Sequence, residues 1–197
     1  MKNRNHPVKG SKITVEPIRN LDHITSIKQL LASKPRDLLL FTLGINNGIR
    51  TGDLLKLRVQ DLAGKRVGDT ISIKESKTGK INVLMVNKSV HKALASFLAS
   101  DIFQPDDYLF KSRTGENKPL TVQTVNRMVK GWARTINLPG NYGAHTLRKT
   151  FGYIQRTQYG VGFEVLCKRF NHGSPTVTMR YLGISDSEVI EILQNEV

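Results

Sequence analysis

Two residues one helical turn apart, His145 and Arg148, have the side-chain chemistry needed to hold a phosphate group. Residues three positions apart lie on the same face of an α-helix, so the imidazole and the guanidinium can reach one anion. Arginine offers a planar fork of N–H donors that matches two phosphate oxygens. The pair alone is a weak signal, because many helices carry a histidine and an arginine at this spacing.

Four further side chains are candidates to complete such a site: Arg50, Lys77, His172 and Tyr181. The sequence has no glycine-rich loop ending in Lys-Ser/Thr, and the lone Cys167 and the scattered acidic residues form no metal-ligand pattern. If the substrate is a phosphodiester, cationic side chains must neutralise the phosphate and a side chain must supply the nucleophile. We therefore predict chemistry without a metal, a nucleotide or another cofactor.

The charge balance favours a polyanionic partner. The 197 residues include 30 Lys plus Arg against 16 Asp plus Glu, a formal net charge of +14. This excess attracts nucleic acid or an anionic membrane, and nucleic acid is preferred because no lipid-facing helix or lipidation motif accompanies the charge. A single cysteine, no apolar run near ~18 residues and a polar start predict an intracellular protein without a membrane span.

Hydrophobic periodicity predicts a mainly helical α+β domain with a small antiparallel β-sheet or hairpin. Helical patterns begin near residues 21 and 35 and cover residues 51–57, 87–99, 121–136, 145–159, 163–170 and 186–193. Residues 38–45 are apolar on nearly every face, so we expect this helix at the centre of the core. Residues 70–74 and 81–86 are β-rich and flank a turn with Gly79, which predicts a hairpin, and Gly64 and Gly68 leave room for a third short strand.

The candidate residues belong to five motifs that follow one another along the chain. They are Gly48-Ile-Arg50-Thr-Gly-Asp53, Ser76-Lys77-Thr-Gly79, His145-Thr-Leu-Arg148, Asn171-His172, and Tyr181 nine residues after His172. Each motif is modest alone, but the order and spacing of the set closely resemble the catalytic domain of the tyrosine recombinases, also called the phage integrase family. The resemblance extends from about residue 38 to residue 183.

The resemblance implies a site-specific recombinase that cuts and rejoins DNA. Tyr181 would attack the scissile phosphorus, forming a 3′-phosphotyrosyl link and freeing a 5′-hydroxyl. Lys77 would protonate the leaving 5′-oxygen. Because the phosphotyrosyl bond conserves the energy of the phosphodiester, no ATP is needed for resealing.

The resemblance also assigns roles to the remaining motif residues. Arg50 and Arg148 would hold the non-bridging oxygens and stabilise the extra charge of the pentacoordinate state. His145 and His172 would donate to the phosphate or move the tyrosine proton. Asp53 would support the site from behind the residues that contact the phosphate.

Several of these assignments have a structural alternative. Tyr181 fits an ordinary half-buried tyrosine that packs a helix, and His172 fits a helix cap. Lys77 is one of several lysines near the predicted turn, and Lys74 or Lys80 would take its place if the strand register differed.

Two positions depart from the family pattern. Phe170-Asn171 replaces the usual Leu-Gly before the second histidine, and asparagine tolerates left-handed backbone nearly as glycine does. Lys149 stands where many members have another histidine, and we expect it to bind DNA. Neither change removes a predicted catalytic group.

The chain divides into three predicted parts. Residues 1–12 form a flexible basic arm, residues 13–183 the catalytic domain, and residues 184–197 a C-terminal helix or tail that packs on a neighbouring protomer or on its own core. The arm carries four predicted DNA contacts: Lys2, Arg4, Lys9 and Lys12. Only 49 residues precede Arg50, which leaves no room for the N-terminal helical clamp of most family members. We therefore expect either a truncated chain or a compact member similar to the fimbrial phase-variation inverters.

The expected partner is double-stranded DNA with specific recombination sites, bound by a homo-tetramer that assembles on DNA, with accessory DNA-bending proteins as further candidates. A monomer is compatible with the sequence in the absence of DNA, and the use of Tyr181 in cis or in trans stays open. Two other functions fit the same residues: a catalytically silent DNA-binding module and a type IB topoisomerase. The short chain and the segment from Gly48 to Asp53 favour the recombinase.

Overall fold

The computed structural model describes residues 14–183, which contain nine helices and one two-stranded sheet. The helices are α1 (Leu21–Leu30), α2 (Pro35–Asn47), α3 (Thr51–Leu54), α4 (Val59–Leu62), α5 (Lys88–Leu98), α6 (Val122–Thr135), α7 (Ala144–Tyr159), α8 (Phe163–Phe170) and α9 (Pro175–Leu182). The strands are β1 (Thr70–Lys74) and β2 (Ile81–Met85). The predictions for the basic arm and for the tail over residues 184–197 lie outside the described residues.

Helix α2 lies at the centre of the hydrophobic core, as its sequence predicts. Leu39, Leu40, Phe41 and Leu43 are completely buried, because the helix is apolar on nearly every face and gains most by being enclosed. It packs against α5 and α7. Phe41 meets Trp132 of α6 edge to face, with ring centroids 5.9 Å apart, a favoured arrangement for two aromatic rings.

A smaller apolar cluster holds the last two helices against α7. Leu166 and Phe170 of α8 and Leu182 of α9 are buried there, and Phe151 of α7 and Tyr181 of α9 pack on them. The rings of Phe151 and Phe170 meet edge to face at 6.0 Å. Since α9 carries Tyr181, this cluster sets the position of the tyrosine ring relative to α7.

The hairpin is joined to the end of α2 by one side chain. Strands β1 and β2 pair antiparallel, with Ile73 opposite Asn82. The Asn47 side chain accepts a hydrogen bond from Met85 N at 2.8 Å and donates one to the Met85 carbonyl at 3.2 Å. Asn47 therefore fixes the sheet beside the turn that follows α2.

Two helices, α4 and α9, do not follow from the hydrophobic pattern. Each begins with a local capping contact instead: the Asp61 carboxylate accepts from Arg58 N at 2.7 Å, and the Ser174 hydroxyl accepts from Val177 N at 3.3 Å. Capping satisfies N–H groups that the first turn leaves unpaired, so a short helix forms where the periodic signal is too brief to detect. Helix α9 matters most, because it carries Tyr181.

The mainly helical α+β fold with a small antiparallel sheet is confirmed, with two local differences. The helix predicted over residues 51–57 ends earlier, at Leu54. The third strand considered near Gly64 and Gly68 does not form among residues 14–183, since both glycines have positive φ angles outside strands. Every helix in this range is too short or too polar to cross a membrane.

Gly48, which ends α2, has a backbone conformation that other residues rarely adopt and leaves no room for a side chain. Its φ is +58°, and an added Cβ would lie 2.4 Å from Cδ1 of Phe151. We expect Gly48→Ala to lower the free energy of unfolding by about 3 kcal/mol, from left-handed strain plus the clash. Urea unfolding measures the loss. Gly64→Ala is the matched control, because Gly64 has a φ of +75° with nothing within 4 Å of an added Cβ. Equal losses of unfolding free energy in the two variants would show that the clash with Phe151 does not contribute to the loss.

Candidate active site

The six predicted active-site residues come from five places in the fold. Arg50 precedes α3, Lys77 lies in the turn between the strands, His145 and Arg148 lie on α7, His172 follows α8, and Tyr181 lies on α9. The structure brings them into one cluster. The charges of Arg148, Arg50 and Lys77 all act on both imidazoles, and the Tyr181 ring lies 5.0 Å from that of His172. The tertiary fold thus joins residues that lie up to 131 positions apart, from Arg50 to Tyr181.

Arg148 lies at the buried centre of this cluster, with 2% of its surface exposed. Its Nη1 donates to the Gly48 carbonyl at 2.6 Å and its Nη2 to the Phe170 carbonyl at 2.7 Å. Burial lowers the pKa of Arg148 to about 10, so the guanidinium stays protonated at neutral pH. One rigid cation therefore connects the carbonyl groups at the ends of α2 and α8.

Arg50 is paired with a carboxylate that the sequence motifs do not single out. Its Nη1 forms an ion pair with Oε2 of Glu75, and the Arg50 side chain is 17% exposed whereas the Glu75 side chain is completely buried. Burial raises the pKa of Glu75, but hydrogen bonds from Thr78, Asn82 and Arg50 outweigh this effect and hold the pKa at about 2. Glu75 is therefore ionised at neutral pH.

The turn that carries Lys77 is held by Asp53. The Asp53 carboxylate accepts hydrogen bonds from the backbone N–H of Ser76 at 3.0 Å and from the Ser76 hydroxyl. Lys77 itself is exposed, and its charge acts on both His145 and His172. This proximity favours Lys77 over Lys74 and Lys80 as the lysine of the site, and the position of Asp53 suits its predicted supporting role.

His145 lies in the first turn of α7 and is exposed at the edge of the cluster. Partial desolvation lowers the pKa of its imidazole, and the charges of Arg148 and Arg50 lower it further. A phosphate placed against these two arginines would therefore also lie within reach of His145.

His172 packs between two aromatic rings. Its ring centroid lies 5.2 Å from that of Phe170 and 5.0 Å from that of Tyr181. Its Nδ1 is 3.0 Å from the Thr178 hydroxyl of α9. Burial and then the charges of Arg148 and Arg50 lower the pKa of His172 to about 4. The imidazole is therefore neutral at neutral pH.

The depressed pKa of His172 predicts a pH dependence of stability. Its folded value of about 4 lies below the ordinary value of about 6.5, so the unfolded chain takes up a proton first as pH falls. The contribution of the neutral imidazole is complete above about pH 6.5 and decreases as pH falls toward 4. We expect the slope of unfolding free energy between these values to flatten in His172→Gln, as measured by urea unfolding. His91→Gln, on α5 outside the cluster, is the matched control; identical slopes in all three proteins would contradict the prediction.

Tyr181 has a buried hydroxyl that makes no hydrogen bond of normal geometry among residues 14–183. Burial raises the pKa of the phenol, whereas the charge of the Arg148 guanidinium, its proximity as a hydrogen-bond donor, and then the charge of Arg50 act in the opposite direction. The ring packs edge to face on Phe170 at 5.7 Å. The candidate nucleophile therefore lies beside the cations that would bind its substrate.

Lys149 occupies a different position from the one expected of a DNA contact. It is 6% exposed, and its ammonium lies 5.0 Å from the centroid of the Tyr181 ring. Burial lowers the pKa of Lys149. An ammonium over an aromatic face is attracted by the ring, so Lys149 supports the tyrosine ring from inside the fold, and its burial argues against phosphate binding at the surface.

Glu75 and Arg169 belong to the site but were not predicted from the sequence. Arg169 donates to the Asn47 carbonyl and, at 2.6 Å, to the Asn82 side chain. A signal for Glu75 was available: in the alternating pattern of the first strand, Ile71, Ile73 and Glu75 share one face. An acidic residue on an apolar face needs a buried partner.

Among residues 14–183, no three His, Cys, Asp or Glu residues form a metal-binding group.

Known proteins resemble this chain in sequence. The sequence model of the phage integrase family matches residues 17–188. The "Probable integrase/recombinase YoeC" of Bacillus subtilis is 38% identical over 176 residues, which cover 87% of this chain and 91% of that protein. A "Tyrosine recombinase" of Pseudothermotoga lettingae is 28% identical over 170 residues, which cover 86% of this chain and 57% of that protein. The chain thus spans most of the Bacillus protein and a little over half of the Pseudothermotoga one.

Solved structures share the fold. A crystal structure of XerA recombinase superposes with a TM-score of 0.73 at 19% identity, covering 95% of this chain and 68% of that one. XerH site-specific recombinase, bound to palindromic difH substrate in a post-cleavage complex, gives a TM-score of 0.72 at 18% identity, covering 93% of this chain and 53% of that one. The family match covers most of the chain, and the predicted family is confirmed. This chain belongs to the phage integrase family, the tyrosine recombinases.

Proposed function

We propose that this chain is a site-specific recombinase that cleaves and rejoins double-stranded DNA through Tyr181. The observation that carries the proposal is that the nucleophile and the phosphate-binding groups share one location. The Tyr181 ring lies 5.0 Å from that of His172, and the charges of Arg148 and Arg50 act on the phenol. Relatives named as tyrosine recombinase and probable integrase/recombinase support the same chemistry.

Cleavage exchanges one phosphodiester bond for another. Tyr181 Oη forms a bond to phosphorus while the bond from phosphorus to the 5′-oxygen breaks, leaving a 3′-phosphotyrosyl link. His172 packs on the phenol and takes up the phenolic proton once the negative charge of the bound phosphate offsets the arginine charges that lower its pKa. Lys77, exposed in the hairpin turn, gives a proton to the departing 5′-oxygen. Rejoining is the reverse sequence with a 5′-hydroxyl as nucleophile.

The two arginines stabilise the charge that develops on the non-bridging oxygens. Arg148 uses Nη1 and Nη2 for carbonyl groups, and Arg50 uses Nη1 for Glu75. A guanidinium has further N–H donors beyond these, and the Arg50 side chain is partly exposed. Donors that are already oriented stabilise a transition state without reorganisation.

The same chain supplies Tyr181 and the other catalytic groups in this proposal. The tyrosine ring contacts Phe170, His172 and Lys149 of its own chain, which supports cleavage in cis. Because the Tyr181 hydroxyl is buried, a phosphate reaches it only after neighbouring groups shift. Assembly on DNA is a suitable trigger for such a shift, since it supplies contacts that the isolated chain lacks.

The proposed partner is double-stranded DNA that contains specific recombination sites, bound by a homo-tetramer with accessory DNA-bending proteins. The formal net charge of +14 supports a polyanionic ligand. The related XerH structure contains its difH substrate, and the lambda integrase structures contain a core site. We retain Lys2, Arg4, Lys9 and Lys12 as proposed DNA contacts of residues 1–12.

Covalent capture from DNA of random sequence tests the proposal. A pool of nicked duplexes with a randomised central segment is incubated with the protein, and DNA that remains attached in detergent is amplified and sequenced. We expect recovery of a defined site attached through its 3′-phosphate. Binding without covalent recovery would instead identify a silent DNA-binding module, and relaxation of supercoiled plasmid by monomers would identify a topoisomerase.

A further inference from the structure

Glu75 places a negative charge where the proposed substrate also carries one. It follows β1 and is completely buried next to Arg50. A buried carboxylate carries a large desolvation cost unless it is paired and hydrogen-bonded. A negative charge within a phosphate-binding cluster repels the phosphate. Any favourable effect of Glu75 on the reaction must therefore come from the side chains that it contacts.

Those contacts involve three separate parts of the fold. Oε2 pairs with Arg50, at the start of α3, and accepts from the Thr78 hydroxyl at 2.6 Å. Oε1 accepts from the Asn82 side chain of β2 at 2.9 Å. The side chain of Asn171, in the turn between α8 and α9, lies close enough to help lower the pKa of this carboxylate. Glu75 thus connects the residue that holds phosphate, the turn that carries Lys77, and the turn that carries His172.

The two partners of the ion pair differ in exposure. Arg50 is 17% exposed and Glu75 is not exposed at all, so the carboxylate lies beneath the guanidinium and contacts its inner edge. Because the pairing nitrogen Nη1 is buried while the side chain is 17% exposed, the exposed part of Arg50 lies away from Glu75. A planar guanidinium held at one edge cannot rotate freely, and its remaining donors therefore keep a fixed orientation.

We propose that Glu75 is a positioning residue that aligns Arg50 with the Lys77 turn, so that both engage the same scissile phosphate. This inference rests on the proposed function, because it assigns Glu75 a part in DNA cleavage. It also gives Asn171, where the family usually has glycine, a part in the arrangement, because its amide side chain helps to lower the pKa of the carboxylate and glycine has no side chain to do so.

The proposal predicts opposite effects on binding and on cleavage. Glu75→Gln removes a charge that repels the phosphate, so DNA affinity should stay the same or rise. It also removes the anchor of Arg50, and small displacements of a catalytic group can slow a reaction by about 100-fold. We expect the single-turnover cleavage rate at saturating DNA to fall by roughly 30- to 100-fold. Generalised structural damage would weaken both properties together.

The experiment uses the nicked duplex recovered by the wild-type protein in the covalent capture. Single-turnover adduct formation and equilibrium binding are measured for wild type, Glu75→Gln and Glu116→Gln. Glu116 is an exposed acid in the loop before α6, so its variant makes the same charge change and should behave as wild type. Thr78→Val removes a donor to Glu75 from an exposed turn and, if Glu75→Gln folds poorly, is expected to slow cleavage by roughly 10-fold.

A double variant shows whether Glu75 acts through Arg50. If it does, Glu75→Gln should slow cleavage less than about 3-fold in an Arg50→Lys background, because coupled residues are not additive. Full additivity would overturn the inference, as would Glu75→Gln cleaving at the wild-type rate. If the wild-type protein itself yields no adduct, the proposed function and the inference fail together. If the wild-type protein yields an adduct and Glu75→Gln does too at the same rate, the inference alone fails, so the two failures are distinguishable.

Discussion

Tyr181→Phe is expected to eliminate covalent attachment to DNA while DNA binding persists. The substitution removes the nucleophilic oxygen and keeps the ring that packs on His172, Phe170 and Lys149. A nucleophile that forms a covalent intermediate has no substitute in its own step. We expect adduct formation to fall by at least ~10⁴-fold, measured on denaturing gels with the captured nicked duplex.

Protein stability provides a second, independent readout of the same variant. The Tyr181 hydroxyl is buried and makes no hydrogen bond of normal geometry among residues 14–183. An unsatisfied buried hydroxyl is costly, so its removal should leave the free energy of unfolding unchanged or raise it by about 1 kcal/mol. Thermal melting measures the change. An unchanged or higher stability would show that the Tyr181 hydroxyl does not serve to stabilise the fold, which supports a catalytic role.

Tyr153→Phe is the matched control for the tyrosine variant. Tyr153 lies on α7 and its ring is covered by the Arg19 guanidinium, 4.7 Å from the ring centroid. The same oxygen is deleted outside the cluster, and adduct formation should stay at the wild-type level. If Tyr181→Phe is still trapped, another residue is the nucleophile. If it loses DNA binding as well, Tyr181 has a structural role instead.

Arg148→Lys is expected to lose both cleavage and stability. Lysine keeps a positive charge but lacks the planar fork that bonds the Gly48 and Phe170 carbonyls at 2.6 and 2.7 Å. Leaving buried carbonyls unpaired costs about 1–3 kcal/mol each, so the free energy of unfolding should fall by about 3 kcal/mol. Cleavage should fall by at least ~10³-fold, since removing a single oriented donor already costs ~10²–10³-fold.

Arg36→Lys separates these two effects of the Arg148 substitution. Arg36 lies on α2 and also donates to a backbone carbonyl, that of Lys111 at 2.9 Å. Its replacement should lower stability modestly and leave the cleavage rate unchanged. Rates are compared at a temperature where circular dichroism shows every variant to be folded. Cleavage by Arg148→Lys within 10-fold of wild type would remove Arg148 from the proposed mechanism.

The sequence was sufficient for the family, the fold class and the candidate catalytic residues. Helical and strand periodicities are local properties, and they correctly predicted the central position of α2 and the hairpin between residues 70 and 86. The motif order from Arg50 to Tyr181 predicted the family, which is confirmed. The catalytic roles of the individual residues stay predictions that the variants above test.

The tertiary structure decided which polar groups are buried and what they contact. The Arg148 contact with Gly48 spans 100 positions and the Arg169 contact with Asn47 spans 122, so no local pattern contains either one. Lys149 has the charge expected of a DNA contact, but its ammonium lies over the ring of Tyr181. Glu75 has the charge expected of a surface residue, but it is buried in an ion pair with Arg50. Burial depends on every element that packs around a side chain, and therefore the positions of these charges emerge only when distant segments meet.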